Sequence, residues 1–166
     1  HSYTFYHNMI HGFTPGDLAR FAYENDLHGV CLHISDGEAA CVRKMTGRQR
    51  DDFRRLLEDL GIALHLEISS TDKAEVDTVI DCARALGVRN LRLYARHEGP
   101  LSQVIEKVHA DLAYACEQAN RLDLHFDYEQ HEDLQAGEIA AILERIGDRR
   151  MNALFDYSNS LNAYEE

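Results

Sequence analysis

The sequence predicts an α/β protein in which strands and helices alternate. Strand-like runs recur about 25 to 34 residues apart, the length of one strand plus one helix. No linker rich in proline or glycine interrupts them, so we expect a single domain over residues 1–166. Such alternation is typical of a parallel sheet with crossover helices. The six runs begin near Tyr3, His28, Ile62, Asn90, Leu122 and Met151.

Capping residues mark where the predicted helices begin and end. Thr14 followed by Pro15 predicts the start of the first helix, because threonine is a good N-cap and proline is favoured at the first helical position. Thr46 with Gln49 forms the capping-box pattern of the second helix. Glycines in the position where a helix ends in a left-handed residue are Gly61, Gly87 and Gly147.

Apolar and ionisable side chains alternate along the strand-like runs. The apolar side must face the helices, so the ionisable side faces the other way. An open sheet with one wet face explains this pattern, and so does a closed barrel with a polar interior that binds a ligand. Arg92 is expected to pair with Glu67 or Asp127. The ionisable side carries His33, His65, Glu67, Arg92, Arg96, His125, Asp127, Glu129 and Asp156.

Composition narrows the possible partners. A formal net charge of −12 repels a phosphate backbone, so we expect no nucleic-acid partner. No apolar run approaches the roughly 20 residues of a membrane span, and the start does not look like a signal peptide, so we expect no membrane partner. The four cysteines lack C-x-x-C spacing, which favours buried free thiols in a reducing compartment and predicts a cytoplasmic protein.

Two strand-like runs late in the chain end in carboxylates, Glu129 and Asp156. One helix's length of chain separates them, and successive parallel strands joined by a helix bring their carboxyl ends side by side. Carboxylate oxygens are hard ligands of the kind that divalent cations bind. The sequence therefore predicts half of a metal site at one edge of the sheet.

These residues also carry a family resemblance. Glu129 followed by His131, a helix, and a strand ending in Asp156 with Asn159 three residues later resembles the metal-binding core of the xylose isomerase-like TIM-barrel superfamily of sugar and sugar-phosphate isomerases and epimerases. The resemblance implies a (β/α)8 TIM barrel. Such a barrel typically needs about 250 residues, so we expect this chain to hold about the first six strands, an incomplete barrel.

The resemblance implies a divalent metal, Mn, Mg, Co or Zn, held by Glu, Asp, His and Glu. Glu129 and Asp156 match the first two ligands, and two further strands beyond Glu166 are expected to supply the others. It also implies that Glu129 is a catalytic acid/base, which removes a proton beside a carbonyl that the metal polarises. A carbohydrate is the implied substrate. Its candidate contacts are His131, Asn159, His7, His65, Glu67 and Arg96, of which Arg96 suits an anionic group.

Two alternatives stay open. The same scaffold hosts metal-dependent dehydratases and lyases of keto-acids or inositol derivatives, and zinc-dependent abasic-site endonucleases, although the negative charge disfavours an endonuclease. The second alternative is a catalytically incomplete barrel fragment that self-associates, because an open sheet exposes strand edges that invite pairing. We expect a homo-oligomer on this ground.

Overall fold

The computed structural model describes residues 1–163, and in them α-helices and β-strands alternate. The strands are β1 (Gly29–His33), β2 (Ala63–Ile68), β3 (Asn90–Leu93), β4 (His125–Glu129) and β5 (Met151–Leu154). The helices are α1 (Tyr6–Ile10), α2 (Pro15–Glu24), α3 (Gly47–Leu60), α4 (Lys73–Leu86), α5 (Leu101–Leu122), α6 (Ala136–Ile146) and α7 (Tyr157–Asn162). Short 3-10 turns cover Ser2–Phe5, Glu38–Ala40 and Val42–Lys44.

The chain forms two compact units. The first comprises His1–Ile68 and Asp77–Arg89, and the second comprises Ser69–Val76 and the residues from Asn90 onward. In the first unit β1 and β2 are parallel, and the register places His33 opposite Glu67. In the second unit β3, β4 and β5 are parallel neighbours in that order. All of these pairings are parallel, as the sequence predicts.

The first predicted strand is wrong, because the residues around Tyr3 are helical. A 3-10 turn runs directly into α1. Phe5 lies 5.5 Å from Phe13 and 4.9 Å from Phe21 between ring centroids. The buried Ser2 hydroxyl donates to Asp36 at 2.6 Å. These tertiary contacts override the strand preference of the aromatic residues, so five of the six predicted strands are present in the described chain.

The predicted helix boundaries are confirmed. Thr14 caps α2 in a reciprocal capping box with Asp17, and Thr46 caps α3 in the same way with Gln49. Each threonine hydroxyl accepts the backbone N–H of the partner residue, and the partner side chain accepts the backbone N–H of the threonine. Two N–H donors that would otherwise be unsatisfied are therefore paired at each helix start. The predicted helix-ending glycines all have left-handed φ, at 65° for Gly61, 71° for Gly87 and 60° for Gly147.

The alternation along the strands places the core where the sequence predicts it, except at β5. Leu32, Leu91 and Phe126 are fully buried, and their ionisable neighbours are more exposed. Beyond β5 the prediction is wrong, because Phe155 is 51% exposed and Tyr157 82% exposed. The two rings contact each other edge to face, with centroids 5.1 Å apart, and neither is buried in the core. None of the helices in the described chain combines the length and apolarity that a bilayer-spanning segment needs.

Candidate active site

Glu129 ends β4 and is a buried acid, only 3% exposed. Its Oε2 atom accepts a hydrogen bond from Arg92 Nε at 2.6 Å and another from Arg92 Nη2. Burial raises the pKa of Glu129, and this effect outweighs the opposing influence of the Arg92 guanidinium. The structure therefore holds a carboxylate in a poorly solvated place with the Arg92 guanidinium directly against it.

Arg92 lies on β3, in register with Asp127 of β4. The sequence suggested Glu67 or Asp127 as its partner, and the structure places its guanidinium on Glu129, two residues further along β4. Asp127 accepts a hydrogen bond from Asn152 Nδ2 at 3.2 Å. A buried ion pair of this kind neutralises Glu129 without a metal.

Asp156 lies two residues beyond β5, next to the carboxyl end of β4. The register pairs Glu129 with Leu154, which places Asp156 just past the tip of the neighbouring strand. One Asp156 oxygen accepts the Ser158 N–H at 2.9 Å and so caps α7. The negative charge of Asp156 contributes to the raised pKa of Glu129, so the two carboxyl groups interact electrostatically. The register of β4 and β5 agrees with the predicted adjacency of the two strand ends.

The loop after β4 is tied to the start of α7. The Gln130 N–H donates to the Leu154 carbonyl at 2.9 Å, and Asn159 Nδ2 donates to the Gln130 carbonyl at 2.9 Å. Asn159, for which the sequence suggested a substrate contact, therefore bonds the backbone through its amide nitrogen. That bond fixes the position of the loop that carries His131.

His131 stacks face to face on Tyr94, with ring centroids 4.1 Å apart and planes inclined by 6°. Among the described residues, no group hydrogen-bonds its buried Nδ1 atom. A buried polar atom in this state costs free energy unless water or a ligand satisfies it. The same loop carries Asp133, whose pKa is raised mainly by burial and is lowered in part by His131 and Arg96.

Arg96 is the exposed cation beside this stack. Its guanidinium lies 5.2 Å from the centre of the Tyr94 ring, and its Nη2 donates to the Tyr94 hydroxyl at 3.0 Å. The Tyr94 hydroxyl in turn donates to Ser69 Oγ at 2.7 Å. Tyr94, which the sequence reasoning passed over, thus holds both His131 and Arg96 in place. Its position at the end of β3 is the sequence feature that could have indicated this role.

The remaining predicted substrate contacts lie in the first unit. His65 and Glu67 are on β2, where Glu67 is buried and pairs with His1 at 2.8 Å. The Cys31 thiol donates to Glu67 at 3.1 Å. His7 is an exposed residue of α1 rather than the strand residue that the sequence predicts. The sequence reasoning missed His1 and Cys31, although Cys31 shares the ionisable side of its strand.

A second polar cluster in the second unit was also missed. His97 Nε2 lies 2.9 Å from Asp111 Oδ2 and 2.9 Å from Thr71 Oγ1. Lys107 Nζ donates to Asp72 at 3.0 Å and to Asp111 at 3.4 Å. The lysine ammonium supplies the positive charge that these carboxylates need, so we interpret this cluster as a bridge between α5 and the neighbouring loops.

The chain has a sequence relative in Escherichia coli. No protein-family model matches the chain. It is 34% identical over 166 residues to the uncharacterized protein YihM of Escherichia coli K12, an alignment that covers 99% of this chain and 51% of YihM. The chain thus spans about half the length of that relative.

Solved structures with a similar fold include a D-psicose 3-epimerase crystallised with D-fructose, with TM-score 0.76 and 11% identity over 91% of this chain and 60% of that one. The D-psicose 3-epimerase of Clostridium cellulolyticum H10 also gives a TM-score of 0.76, at 9% identity over 91% of this chain and 61% of that one. A family 2 AP endonuclease from Brucella melitensis gives 0.70 at 13% identity, over 91% and 66% of the two chains. The chain has the fold of the xylose isomerase-like TIM barrels.

Because the chain covers only part of these structures, its fold is that of an incomplete TIM barrel. In TIM-barrel enzymes the active site lies at the carboxyl ends of the strands. Glu129 and Asp156 are at those ends of β4 and β5, as are Arg96 and His131 at β3 and β4. Glu129, Asp156, Arg96 and His131 thus lie at the strand ends where TIM-barrel enzymes carry their active sites.

The donor atoms of Glu129 and Asp156 are of the type that divalent metals bind. Both offer hard oxygen donors, and Glu129 is buried where an uncompensated negative charge is costly. Asp156 still caps α7, and Arg92 still neutralises Glu129, so a metal ion must share or replace the guanidinium at that carboxylate. The two residues therefore fit as two ligands of a larger set.

Proposed function

We propose that this chain belongs to a divalent-metal-dependent isomerase or epimerase of sugars or sugar phosphates. The observation that carries the proposal is the buried carboxylate of Glu129 at the carboxyl end of β4, beside the end of β5 that leads to Asp156. The similarity in fold to two D-psicose 3-epimerases supports a carbohydrate substrate. The proposal concerns the whole protein, because the chain covers about half of the relative that it matches.

In this proposal Glu129 and Asp156 supply two metal ligands, and Mn²⁺, Mg²⁺, Co²⁺ or Zn²⁺ is the candidate ion. A bound divalent ion would polarise the substrate carbonyl and stabilise the negative charge that develops when the adjacent carbon loses a proton. Glu129 takes that proton as the acid/base group. Burial raises the pKa of Glu129 above its ordinary value, and an acid/base group works best when its pKa is near the working pH.

Substrate contacts are assigned to the side chains around Tyr94. The buried Nδ1 of His131 is placed to hydrogen-bond a sugar hydroxyl, because none of the described groups satisfies it. Arg96 is exposed and would bind the negative group of a sugar phosphate. Asn159 would act by holding the loop, since its amide is bonded to the Gln130 carbonyl. His7, His65 and Glu67 stay predictions as substrate contacts.

We also propose that the protein works as a homo-oligomer in the cytoplasm. Phe155, Tyr157 and Leu161 form an exposed apolar group at the end of the described chain, which a further part of the protein or a second copy could cover. Within the described residues none of the four cysteines is in a disulfide, which fits a reducing compartment. Light scattering and cell fractionation of the whole protein test these two statements.

The decisive experiment uses the whole protein, stripped of metal by a chelator and titrated calorimetrically with each candidate ion. Product analysis by NMR on ketoses, aldoses, their phosphates and keto-acids then separates an isomerase from a lyase. Glu129→Gln should lower kcat by about 10²- to 10⁴-fold, the usual contribution of an acid/base group, and should weaken metal binding. Glu144→Gln, at an exposed position on α6, is the matched control and should leave both unchanged.

Absence of metal binding, or metal binding and turnover unaffected by Glu129→Gln, would contradict the proposal. Loss of water from a keto-acid or inositol derivative without epimerisation would instead favour the lyase alternative.

A further inference from the structure

Three side chains of ligand type meet within the first unit, and His65 lies beside one of them; we call the four the first-unit cluster: His1, Cys31, Glu67 and the adjacent His65. Cys31 of β1 and His65 of β2 are opposite each other in the parallel register. Glu67 follows His65 by two residues and points to the same side of β2. Ligand atoms of His1, Cys31 and Glu67 all lie within 4.8 Å of one another.

The contacts within the cluster converge on the Glu67 carboxylate. His1 Nε2 lies 2.8 Å from Oε1 and 2.9 Å from Oε2, and the Cys31 thiol donates to Oε2 at 3.1 Å. Cys31 Sγ also lies 3.7 Å from His65 Nδ1. Glu67 is buried, Cys31 and His65 are half-buried, and His1 is exposed, so the cluster is open to solvent on one side.

We propose that the first-unit cluster is a zinc site, with Cys31, His1 and Glu67 as ligands and His65 as the fourth. One sulfur, two imidazole nitrogens and one carboxylate oxygen make a mixed donor set that Zn²⁺ accepts and that Mg²⁺ or Ca²⁺, which prefer oxygen alone, do not. This site is separate from the proposed active-site pair, since neither Glu129 nor Asp156 belongs to it.

The observed spacing is close to what tetrahedral zinc requires. Bonds of about 2.0–2.3 Å place tetrahedral ligand atoms about 3.3–3.7 Å apart. The Cys31–His65 distance of 3.7 Å already matches, and the His1–Glu67 and Cys31–Glu67 distances of 2.8 and 3.1 Å must open by about half an ångström or less. The His65 ring must also turn toward His1 and Glu67, because its nitrogens are outside the group that those two form with Cys31. We expect side-chain rotation to provide these movements.

Binding releases protons. The Cys31 thiol must lose its proton to the buffer, because the thiolate is the ligand. The His1 Nδ1 atom accepts the Tyr3 N–H at 3.1 Å, so Nε2 carries the ring proton and donates it toward Glu67. Coordination through Nε2 requires the other tautomer, and water replaces the exposed bond to Tyr3. Zinc affinity should therefore rise with pH as the thiol ionises.

Such an ion would attach the first residues of the chain to the sheet. His1 begins the 3-10 turn Ser2–Phe5, and the Ser2 hydroxyl accepts the His33 N–H of β1 at 2.9 Å. Zinc between His1, Cys31 and Glu67 would add a second and stronger connection between the same elements. We therefore expect zinc to stabilise the protein as well as bind to it.

Co²⁺ substitution provides the direct test, because a cobalt–thiolate bond absorbs in the near ultraviolet and cobalt bound by oxygen and nitrogen alone does not. The whole protein, reduced and stripped of metal, is titrated with Co²⁺ and then with Zn²⁺. We expect a thiolate band that saturates when the cluster is filled, whatever cobalt the Glu129 and Asp156 site also takes up, and that disappears when Zn²⁺ displaces the cobalt. The band needs a cysteine, so it reports this cluster independently of Glu129 and Asp156, whose proposed metal site contains none.

Cys31→Ser should abolish the band and weaken zinc binding at least tenfold. Cys116→Ala, which removes a buried thiol of α5, should retain both. Should Cys31→Ser fail to fold, His1→Gln at an exposed position provides the second test, and it should weaken zinc binding at least tenfold and reduce the increase in Tm on adding zinc. A cobalt complex without the thiolate band, or unchanged zinc affinity in Cys31→Ser or His1→Gln, would overturn the proposal.

Discussion

Replacing Arg92 by methionine tests whether this arginine neutralises a buried charge. Methionine keeps most of the side-chain length and removes the guanidinium, so Glu129 stays buried without its observed partner. The side chains are 16% and 3% exposed, which places the pair among buried rather than surface ion pairs. Breaking such a pair costs about 3–5 kcal/mol. Because Arg92 keeps some solvent contact, we expect the lower end, about 3 kcal/mol at pH 7.

Urea unfolding followed by circular dichroism measures this cost. With a slope of about 2 kcal/mol per molar urea, a loss of about 3 kcal/mol lowers the midpoint by about 1.5 M. Arg92→Met combined with Glu129→Gln should be more stable than Arg92→Met alone, because no charge is then left unpaired. The pKa of Glu129 is already raised by burial, and losing Arg92 raises it further. Its protonated form is uncharged, so the cost of Arg92→Met should shrink as the pH falls through that pKa.

A cost below about 1 kcal/mol, the range of surface pairs, together with no dependence on pH would refute the reasoning. An excess of a divalent ion gives a further readout on the metal proposal. If a metal ion can replace the guanidinium at Glu129, the ion should stabilise Arg92→Met more than it stabilises the unmodified protein, and equal stabilisation of both would contradict that replacement.

Three further predictions concern stability. Gly61→Ala should lower the free energy of unfolding by about 1 kcal/mol in thermal unfolding. The cost comes from the φ of +65° and not from a clash, because no atom lies near the new methyl group. Gly47→Ala at the start of α3 should instead be neutral or stabilising. Hydrogen bonds from Thr14 lower the pKa of Asp17 below its ordinary value of 3.8. The stabilisation that the Asp17 carboxylate provides is therefore present above pH 3.8 and is lost as the pH falls through the lower folded-state pKa. An NMR titration that gives a pKa of 3.8 or more for Asp17 would contradict this. Phe126→Ala should cost about 3–5 kcal/mol in urea unfolding, since this side chain is fully buried.

Local chemistry accounts for what could be predicted about the fold. Thr14 and Thr46 cap helices through their own hydroxyls, and Gly61 ends α3 because a residue without a Cβ adopts the left-handed conformation at little cost. Such signals involve residues close together in the chain. The spacing of strand-like runs extends the same logic to parallel pairing, and the comparisons confirm the TIM-barrel fold that the resemblance around Glu129 implied.

Contacts between residues distant in the chain explain where the predictions from the sequence are wrong. The run after His1 reads as a strand in isolation and is helical because Phe5 meets Phe13 and Phe21. The period-two pattern continues past β5 into Phe155, yet that ring is 51% exposed. Burial depends on what lies opposite a side chain, and a pattern within one strand does not contain that information.

Residue order by itself determined the alternation of strands and helices, the helix ends, and the position of Glu129 and Asp156 at adjacent strand tips. Tertiary structure alone decided that Arg92 neutralises Glu129, that Tyr94 carries His131 and Arg96, and that His1 reaches Cys31 and Glu67. The physical reason is one of distance. Backbone preferences act over a few neighbouring residues, whereas a charge or a metal ligand selects partners by their separation in space.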